Sequence, residues 1–350
     1  MPDRRENVKN QHCVRYRKYR PDQLPMGKQF KEWTILETLD DTRHSWFYVV
    51  QNGETGKQAV LKATLRIHRR EMGQEVKIMR KLAEHDTQPH IPKCYHAAHH
   101  GGFVYMITTR FGIRLSDPKL RQNTPNFSVS TWIRVGIQCL YALKILHNAG
   151  YVHRWIARLP RKAWYFDSDV AYSSPNAHEG FELGRRDDIW SLMYMLIDFH
   201  CGLPWKGDEL ERKNSGIKKW YMKDEHLMQN MPHELRDIIP ELHKLDYYQR
   251  PDYLGIYNRF VAAQKRYGIG NEDPYDWELV TDGSKSKSKS KSGRPPIPPA
   301  WWDAADFFKY DPLRIKSAPD EEDRAWQPKK KAQSTTERDE LKRETGDTDD

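Results

Sequence analysis

The chain has 350 residues, a formal net charge of +9 and a pI near 9.1. This length suits one bilobal core domain with extensions, because single domains typically span about 100–200 residues. The cysteines Cys13, Cys94, Cys139 and Cys201 include no Cys-x-x-Cys pair, which favours free thiols in a reducing compartment. No apolar run approaches the roughly 18–20 residues of a membrane span, and the N-terminus has no apolar signal region. We therefore expect an intracellular protein, cytoplasmic, nuclear or both, with no membrane contact.

The two ends of the chain differ in composition from its middle. Residues 1–29 are basic, without helical or strand periodicity, and are predicted to form a flexible arm. Residues 280–350 contain a Ser-Lys repeat, a proline-rich stretch and many charges, which predicts disorder. An aromatic cluster in this tail is either a docking segment, for a partner or for the domain itself, or an unanchored stretch: Trp301, Trp302, Phe307, Phe308 and Tyr310.

Residues 30–112 have the pattern of a small antiparallel sheet with one helix. Aromatic and β-branched runs begin at Trp33, Trp46 and Gln58, and two further strands are predicted over Ile91–His96 and Gly102–Thr109. The apolar spacing of residues 69–82 predicts the helix.

Residues 113–279 have mainly helical periodicity. Thr131–Asn148 carries a wide apolar stripe, and further helical runs are predicted over His226–Leu245 and Asp252–Tyr267. The segment Gly184–Trp205 is apolar all round, which is typical of a helix buried in the centre of a domain. The carboxylates of its first turn suit the helix dipole.

Five motifs occur in a fixed order along this region. They are Ala59-Val-Leu-Lys62, Tyr151-Val-His-Arg154, Ser174-Pro-Asn-Ala-His178, Gly184-Arg-Arg-Asp-Asp-Ile-Trp-Ser-Leu192 and Asp273-Pro-Tyr-Asp-Trp-Glu278. Together they resemble eukaryotic protein kinases, and specifically the casein kinase 1 and tau-tubulin kinase group. The resemblance implies an α+β, bilobal protein-kinase-like fold with a truncated catalytic and activation segment in its mainly helical C-lobe.

The resemblance implies that a remnant of an ATP pocket survives. Lys62 matches the lysine that binds the nucleotide phosphates, and Glu75 matches its ion-pair partner. A surface lysine and a helix glutamate would give the same residues. Structural roles follow from the same motifs for four residues: His153, Arg154, Asp188 and Trp190.

The family's glycine-rich loop has no counterpart in this chain. Residues 39–48 contain no glycine, and Asp40, Thr42 and Ser45 occupy the glycine positions. Side chains there obstruct the approach of backbone N–H groups to phosphates, and carboxylates repel a polyphosphate. Compensation of this charge by Arg43 and His44 is the alternative.

The catalytic acids are missing from the sequence. Trp155 follows His153 and Arg154 in place of the catalytic aspartate, and the next residues resemble those that normally come after Asp-Phe-Gly. Tryptophan can neither accept a proton from a hydroxyl nor bind magnesium. Asp167 and Asp169 are the nearby acids, and they fall in the peptide-binding part of the segment. The missing segment normally includes strands that form the floor of the nucleotide cleft. Their loss is expected to expose apolar surface on the helices around Leu146 and Leu192.

Substrate recognition is altered as well, since Ala171 replaces the arginine that the family uses for acidic or phosphorylated substrates. An anion patch could still form from four basic residues, which could equally be structural or solvated: Arg185, Arg186, Lys218 and Lys219.

These features favour a catalytically impaired kinase-like protein that acts by binding proteins, acidic or phosphorylated ones in particular, with no metal or nucleotide cofactor. The first alternative is an active serine/threonine kinase that uses ATP and magnesium through unconventional acids. The second is a basic-tail binder of nucleic acid or acidic proteins, with binding that weakens steeply as salt is added. A transcript or gene-model variant of an active relative would explain the missing segment, but not the missing glycines. The oligomeric state does not follow from the sequence.

Overall fold

The computed structural model describes residues 24–41, 45–83, 91–112, 115, 126–153, 170–179, 181–206, 215–279 and 304–310. These residues form an α+β, bilobal fold, with a small antiparallel-sheet lobe followed by a helical lobe, as the sequence predicts. The first described residue, Leu24, is already buried, and its N–H donates to Tyr48 Oη (3.1 Å). The end of the predicted arm therefore belongs to the N-lobe.

The N-lobe consists of one antiparallel sheet with strand order β1-β2-β3-β4-β6-β5 and one helix. Its elements are β1 Gln29–Phe30, β2 Trp33–Asp41, β3 Ser45–Asn52, β4 Gln58–Leu65, α1 Arg69–Ala83, β5 Cys94–His100 and β6 Phe103–Thr109. The short strand β1 is additional to the five predicted strands. Met72 and Val76 of α1 pack on Val104 and Met106 of β6, which places the helix against one face of the sheet.

The C-lobe is helical. Its elements are α2 Val129–Asn148, α3 Pro175–His178, α4 Arg185–His200, α5 Ser215–Tyr221, α6 Asp224–Met228, α7 Ile238–His243, α8 Tyr253–Arg266, α9 Asp276–Leu279 and α10 Ala305–Lys309. The run predicted over His226–Leu245 is divided into α6, a 3-10 turn and α7. Pro232, which has no N–H to donate, precedes that turn.

Helix α4 is the centre of this lobe, and residues on all its sides are buried, as predicted. A close backbone approach requires glycine before its first residue, because a Cβ at Gly184 would lie 2.7 Å from Tyr247 O. The N–H of Gly184 donates to Asp187 Oδ2 (2.7 Å), which closes a capping interaction around the first turn.

Three predictions from the sequence can be compared with the fold: apolar surface exposed near two leucines, free cysteine thiols and the lack of a segment able to span a membrane. Leu146 and Leu192 are themselves buried (9% and 0% exposed), contrary to the exposure expected near them. The three cysteines among the described residues carry free thiols, and burial raises the pKa of Cys139 to about 11. Helix α2 is, by length and composition, long and apolar enough to cross a membrane, contrary to expectation, yet most of it is buried in the C-lobe core.

Part of the predicted disordered tail is ordered. Residues 304–310 contain α10, and Ala304 and Phe308 belong to the same core as α2, α4 and α8. Of the alternatives for the aromatic cluster, residues 304–310 follow the one in which it docks on the domain itself, whereas composition alone predicts disorder for this part of the tail.

Two helix glycines provide a matched test of how closely α2 packs. A Cβ at Gly136 would lie 2.9 Å from Leu196 Cδ1 of α4 and 3.0 Å from Phe260 of α8, whereas a Cβ at Gly73 of α1 meets nothing within 4 Å. We expect Gly136→Ala to lower the free energy of unfolding by about 1–3 kcal/mol through overpacking. Gly73→Ala should raise it by about 0.5–1 kcal/mol. Urea denaturation measures both, and an equal gain at the two sites would contradict this packing.

Candidate functional site

Lys62 and Glu75, the predicted remnant of the ATP pocket, are brought together by the fold. Lys62 lies on β4, and its Nζ is 2.7 Å from Glu75 Oε2 of α1. Their side chains are 21% and 37% exposed, so the pair contributes at most about 1 kcal/mol. Its main consequence is positional, because it joins α1 to the sheet in the arrangement that a phosphate-binding lysine requires.

The β2–β3 hairpin occupies the place of the glycine-rich loop. The pairing of the two strands continues to the last residue of β2, with Asp40 opposite Phe47 and Asp41 opposite Trp46. Thr42 follows β2 and lies outside the described part of the chain. The other two predicted glycine positions are described: Asp40 lies next to the last residue of β2, and Ser45 begins β3. The described part of the hairpin therefore offers no glycine backbone to cradle phosphates.

Asp188, in the first turn of α4, binds two segments that are distant in sequence. Its Oδ2 accepts a hydrogen bond from His147 Nε2 of α2 (2.8 Å) and another from the backbone N–H of His153 (2.6 Å). The hydroxyl of Tyr253 on α8 lies 2.5 Å from Nδ1 of His147. Asp188, His147 and Tyr253 are almost completely buried, so each group depends on these partners for its hydrogen bonds. The start of the Tyr151-Val-His-Arg154 motif is thus fixed to the core helix.

Asp187 performs a similar task for the segment that precedes α4. Its Oδ1 accepts from Ser174 Oγ (2.7 Å) and Asn176 Nδ2 (2.8 Å), while its Oδ2 accepts from Gly184 N. The sequence suggests a dipole interaction for the two first-turn acids, and the resemblance adds an unspecified structural role for Asp188. Their burial, at 3% and 2% exposure, shows instead that they bind the neighbouring segments directly.

The remaining sequence-predicted positions of the catalytic segment are Arg154, Trp155, Asp167 and Asp169, and they lie outside the described residues. Trp190, the fourth structural residue proposed from the motifs, is buried in α4 and makes an edge contact with His243 (4.7 Å between ring centroids).

A magnesium–nucleotide complex, which the fold class implies, does not fit the residues present. Magnesium binds oxygen ligands, and kinases supply them from an aspartate and an asparagine that follow the His-Arg-Asp motif. In this chain Trp155 and Ile156 follow Arg154 directly. Within the described ranges, no group of three His, Cys, Asp or Glu side chains is placed to hold a metal ion. We therefore derive no reaction step through this complex.

The four residues of the predicted anion patch have different surroundings. The guanidinium of Arg185 donates to Tyr248 O (2.6 Å), and that of Arg186 donates to Leu245 O, so both contact main-chain carbonyls of the loop between α7 and α8. Lys218 is half-buried, whereas Lys219 is buried. The fold thus favours structural roles for the two arginines and for Lys219.

Lys219 lies in an unusual environment for a cation. Its Nζ donates to Ser173 O (2.8 Å), lies 3.1 Å from His178 Nε2, and is about 5 Å from the rings of Tyr194 (5.2 Å) and Trp205 (5.3 Å). Burial lowers the pKa of Lys219 well below its ordinary value of 10.5. A surface cavity of ≈ 580 Å³ adjoins it, with both lysines and carboxylates in its lining: Pro175, Lys219, Met222, Lys223, Asp224, Glu225, Pro240 and His243.

Sequence reasoning missed His147 and Tyr253 as parts of this site. His147 falls within the apolar stripe of α2, and Tyr253 is the first residue of α8, so neither position differs from an ordinary core position. The available signal was the buried carboxylate of Asp188, because a carboxylate in a core helix requires donors from neighbouring elements.

The architecture and the site together define a class of domain. A curled antiparallel sheet carries a paired lysine and glutamate, and a helical lobe carries a core-helix aspartate that fixes the start of the His153 segment. These are the features of a protein-kinase-like domain.

Comparison with known proteins identifies the family. An inactive tau-tubulin kinase of Caenorhabditis elegans (ttbk-6) is 30% identical over 289 residues, which are 69% of this chain and 96% of that protein. A probable serine/threonine-protein kinase of Dictyostelium discoideum is 24% identical, over 73% of this chain and 58% of that protein. Casein kinase I homolog 2 of Schizosaccharomyces pombe is 30% identical over 34% of this chain and 29% of that protein. No protein-family profile matches the chain. The chain belongs to the protein kinase superfamily, in the casein kinase 1 and tau-tubulin kinase group.

The carboxylates of Asp188 and Glu75 should differ greatly in their contribution to stability. We expect Asp188→Ala to lower the free energy of unfolding by about 3–5 kcal/mol, because it leaves the buried imidazole of His147 and the part-buried N–H of His153 without their acceptor. Glu75→Ala removes a half-exposed partner and should cost at most about 1 kcal/mol. Denaturant titration of both variants, with Asp188→Asn as an intermediate case, measures the difference. Similar losses for Asp188→Ala and Glu75→Ala would contradict the burial described here.

Lys219 should make stability depend on pH. Because burial lowers its pKa in the folded state, the unfolded chain binds more protons between that folded-state pKa and 10.5, and stability should rise with pH across this window. We expect the stability of the wild-type chain relative to Lys219→Met to increase as pH is raised from neutral toward 10.5. Lys218→Met is the control and should follow the wild type. A constant difference between wild type and Lys219→Met over this range would refute the assignment.

Proposed function

We propose that this member of the kinase superfamily has lost phosphotransferase activity and works by binding other proteins, as a scaffold or as a regulator. The observation that carries the proposal is the sequence around the His153 segment. The backbone of His153 is fixed to Asp188, yet the residues that follow it are Arg154, Trp155 and Ile156 in place of the catalytic acids.

The N-lobe supports the same conclusion independently. A kinase needs backbone N–H groups close to the phosphates, and glycine permits that approach. Asp40 and Asp41 end the strand that leads into this loop, and their charges oppose a bound polyphosphate. The glycines are missing from the N-lobe and the catalytic acids from the C-lobe. One splicing or gene-prediction error could remove a single segment, but it would not explain both losses.

The retained features fit a binding role. Lys62 and Glu75 join α1 to the sheet, and Asp188 joins segments of the C-lobe core, so a folded two-lobed domain remains on which partner proteins can bind. One relative, the inactive tau-tubulin kinase, carries its lack of activity in its name. The partners we propose are acidic or phosphorylated proteins, including substrates of active relatives, or such a relative itself.

A phosphotransfer assay tests this proposal. The full chain is incubated with magnesium, labelled ATP and an acidic protein substrate. The Lys62→Ala variant is the matched control, and an active casein kinase 1 enzyme is the positive control. We expect the wild type to transfer no more label than Lys62→Ala, because the base and the metal ligands are missing. Transfer that is lost on Lys62→Ala would establish an active serine/threonine kinase instead. Partner binding that is retained by the isolated tails and weakens steeply with salt would favour the basic-tail alternative.

A further inference from the structure

The C-terminal strap, defined as residues Ala304–Tyr310, lies in a groove between α2 and α8 of the C-lobe. Its Phe308 is completely buried, and Ala304 is 2% exposed. Residues 280–303 connect α9 to the strap, so the contact is made between distant parts of one chain. A five-residue helix is too short to be stable alone in water, which means that α10 depends on the groove for its structure.

The groove recognises the strap first through aromatic rings. Phe308 stacks on Tyr257 of α8, with 4.7 Å between ring centroids and 24° between planes. Phe307 packs on Tyr141 of α2 at 4.2 Å and 31°. Buried aromatic side chains provide large contact areas and specific geometry, so two adjacent phenylalanines form the apolar part of the recognition.

Two cations form the polar part of the groove. Nζ of Lys144 on α2 is buried, donates to Tyr310 O (2.7 Å) and lies 4.3 Å from the Phe307 ring centroid. The guanidinium of Arg250 donates to Phe308 O and to Tyr310 O (both 3.3 Å). The last carbonyls of a helix have no partner within the helix and carry its negative dipole end, so cations are suited to bind them. Lys144 and Arg250 therefore select a helix that ends at this point.

Tyr310 is 61% exposed, and the contacts described for it with Lys144 and Arg250 are made by its carbonyl oxygen. Position 310 thus contributes through its main chain, while positions 307 and 308 contribute through their rings. This separation distinguishes specific recognition from general burial of an aromatic tail.

We propose that the groove between α2 and α8 is a docking site for a short aromatic helix, and that the strap of this same chain is its occupant. The site takes a Phe-Phe pair on Tyr141 and Tyr257 and places the terminal carbonyls on Lys144 and Arg250. Because the strap is tethered, docking is intramolecular and is favoured by a high effective concentration, yet it can be displaced by enough free peptide. This inference does not depend on the proposed function, since no catalytic residue takes part in it.

The test uses a labelled synthetic peptide of residues 301–312 and the full chain. In the wild type the groove is occupied by the strap, whereas Phe307→Ala/Phe308→Ala in the chain should vacate it. We expect the peptide to bind this double variant at least about ten-fold more tightly than the wild type, by fluorescence anisotropy. The Tyr310→Ala chain should resemble the wild type, and a peptide carrying Phe308→Ala should bind none of the chains. Equal affinity of the peptide for the double variant and the wild type, or no binding to either, would overturn the proposal.

A second measurement uses only the folded wild-type chain. The N–H groups of Phe308 and Tyr310 donate to Ala304 O (2.9 Å) and Asp306 O (3.1 Å), so hydrogen exchange there reports on docking. With an isotopically labelled chain, excess unlabelled peptide should accelerate exchange at residues 308 and 310 while α4 remains protected. Unchanged exchange at saturating peptide would refute a displaceable strap, as would equal acceleration throughout the C-lobe.

Discussion

The buried carboxylate of Asp188 is the interaction on which the C-lobe depends. It joins three segments, because it accepts from His147 of α2 and from the backbone of His153, and because His147 in turn contacts Tyr253 of α8. A carboxylate with 2% exposure is tolerated only when its oxygens are hydrogen-bonded. The same contacts that satisfy Asp188 therefore fix the relative positions of α2, α4, α8 and the start of the His153 segment.

This constraint is independent of phosphotransferase chemistry. The contacts that stabilise the domain are made by buried groups of the C-lobe core and by the pairing of the sheet, and none of them requires a nucleotide or a metal. Lys62 and Glu75 contribute little to stability and mainly orient α1. The proposed loss of phosphate chemistry, argued from the missing glycines and from the residues after Arg154, would therefore leave these contacts in place.

Much of the fold could be predicted from the sequence, and the reasons are local. Gly184, the apolar run after it and the strand patterns from Trp33 to Thr109 each specify an element through nearby residues. The roles of His147 and Lys219 could not be predicted, and docking of Phe308 on the domain was only one of the open alternatives, because each role depends on groups that are distant in sequence. Lys219 binds a carbonyl of Ser173, and Phe308 stacks on Tyr257. From composition alone, Phe308 belongs to a polar tail and Lys219 to a basic segment. Composition contains no information about which distant carbonyl group or aromatic ring these residues contact.

The central claim is that the chain keeps the kinase scaffold without a working site for a metal–nucleotide complex. Isothermal titration calorimetry of the full chain with ATP, with and without magnesium, tests it most directly. The account predicts no saturable, magnesium-dependent heat at millimolar nucleotide, for the wild type and for Lys62→Ala alike. Saturable binding that requires magnesium and is lost on Lys62→Ala would contradict it.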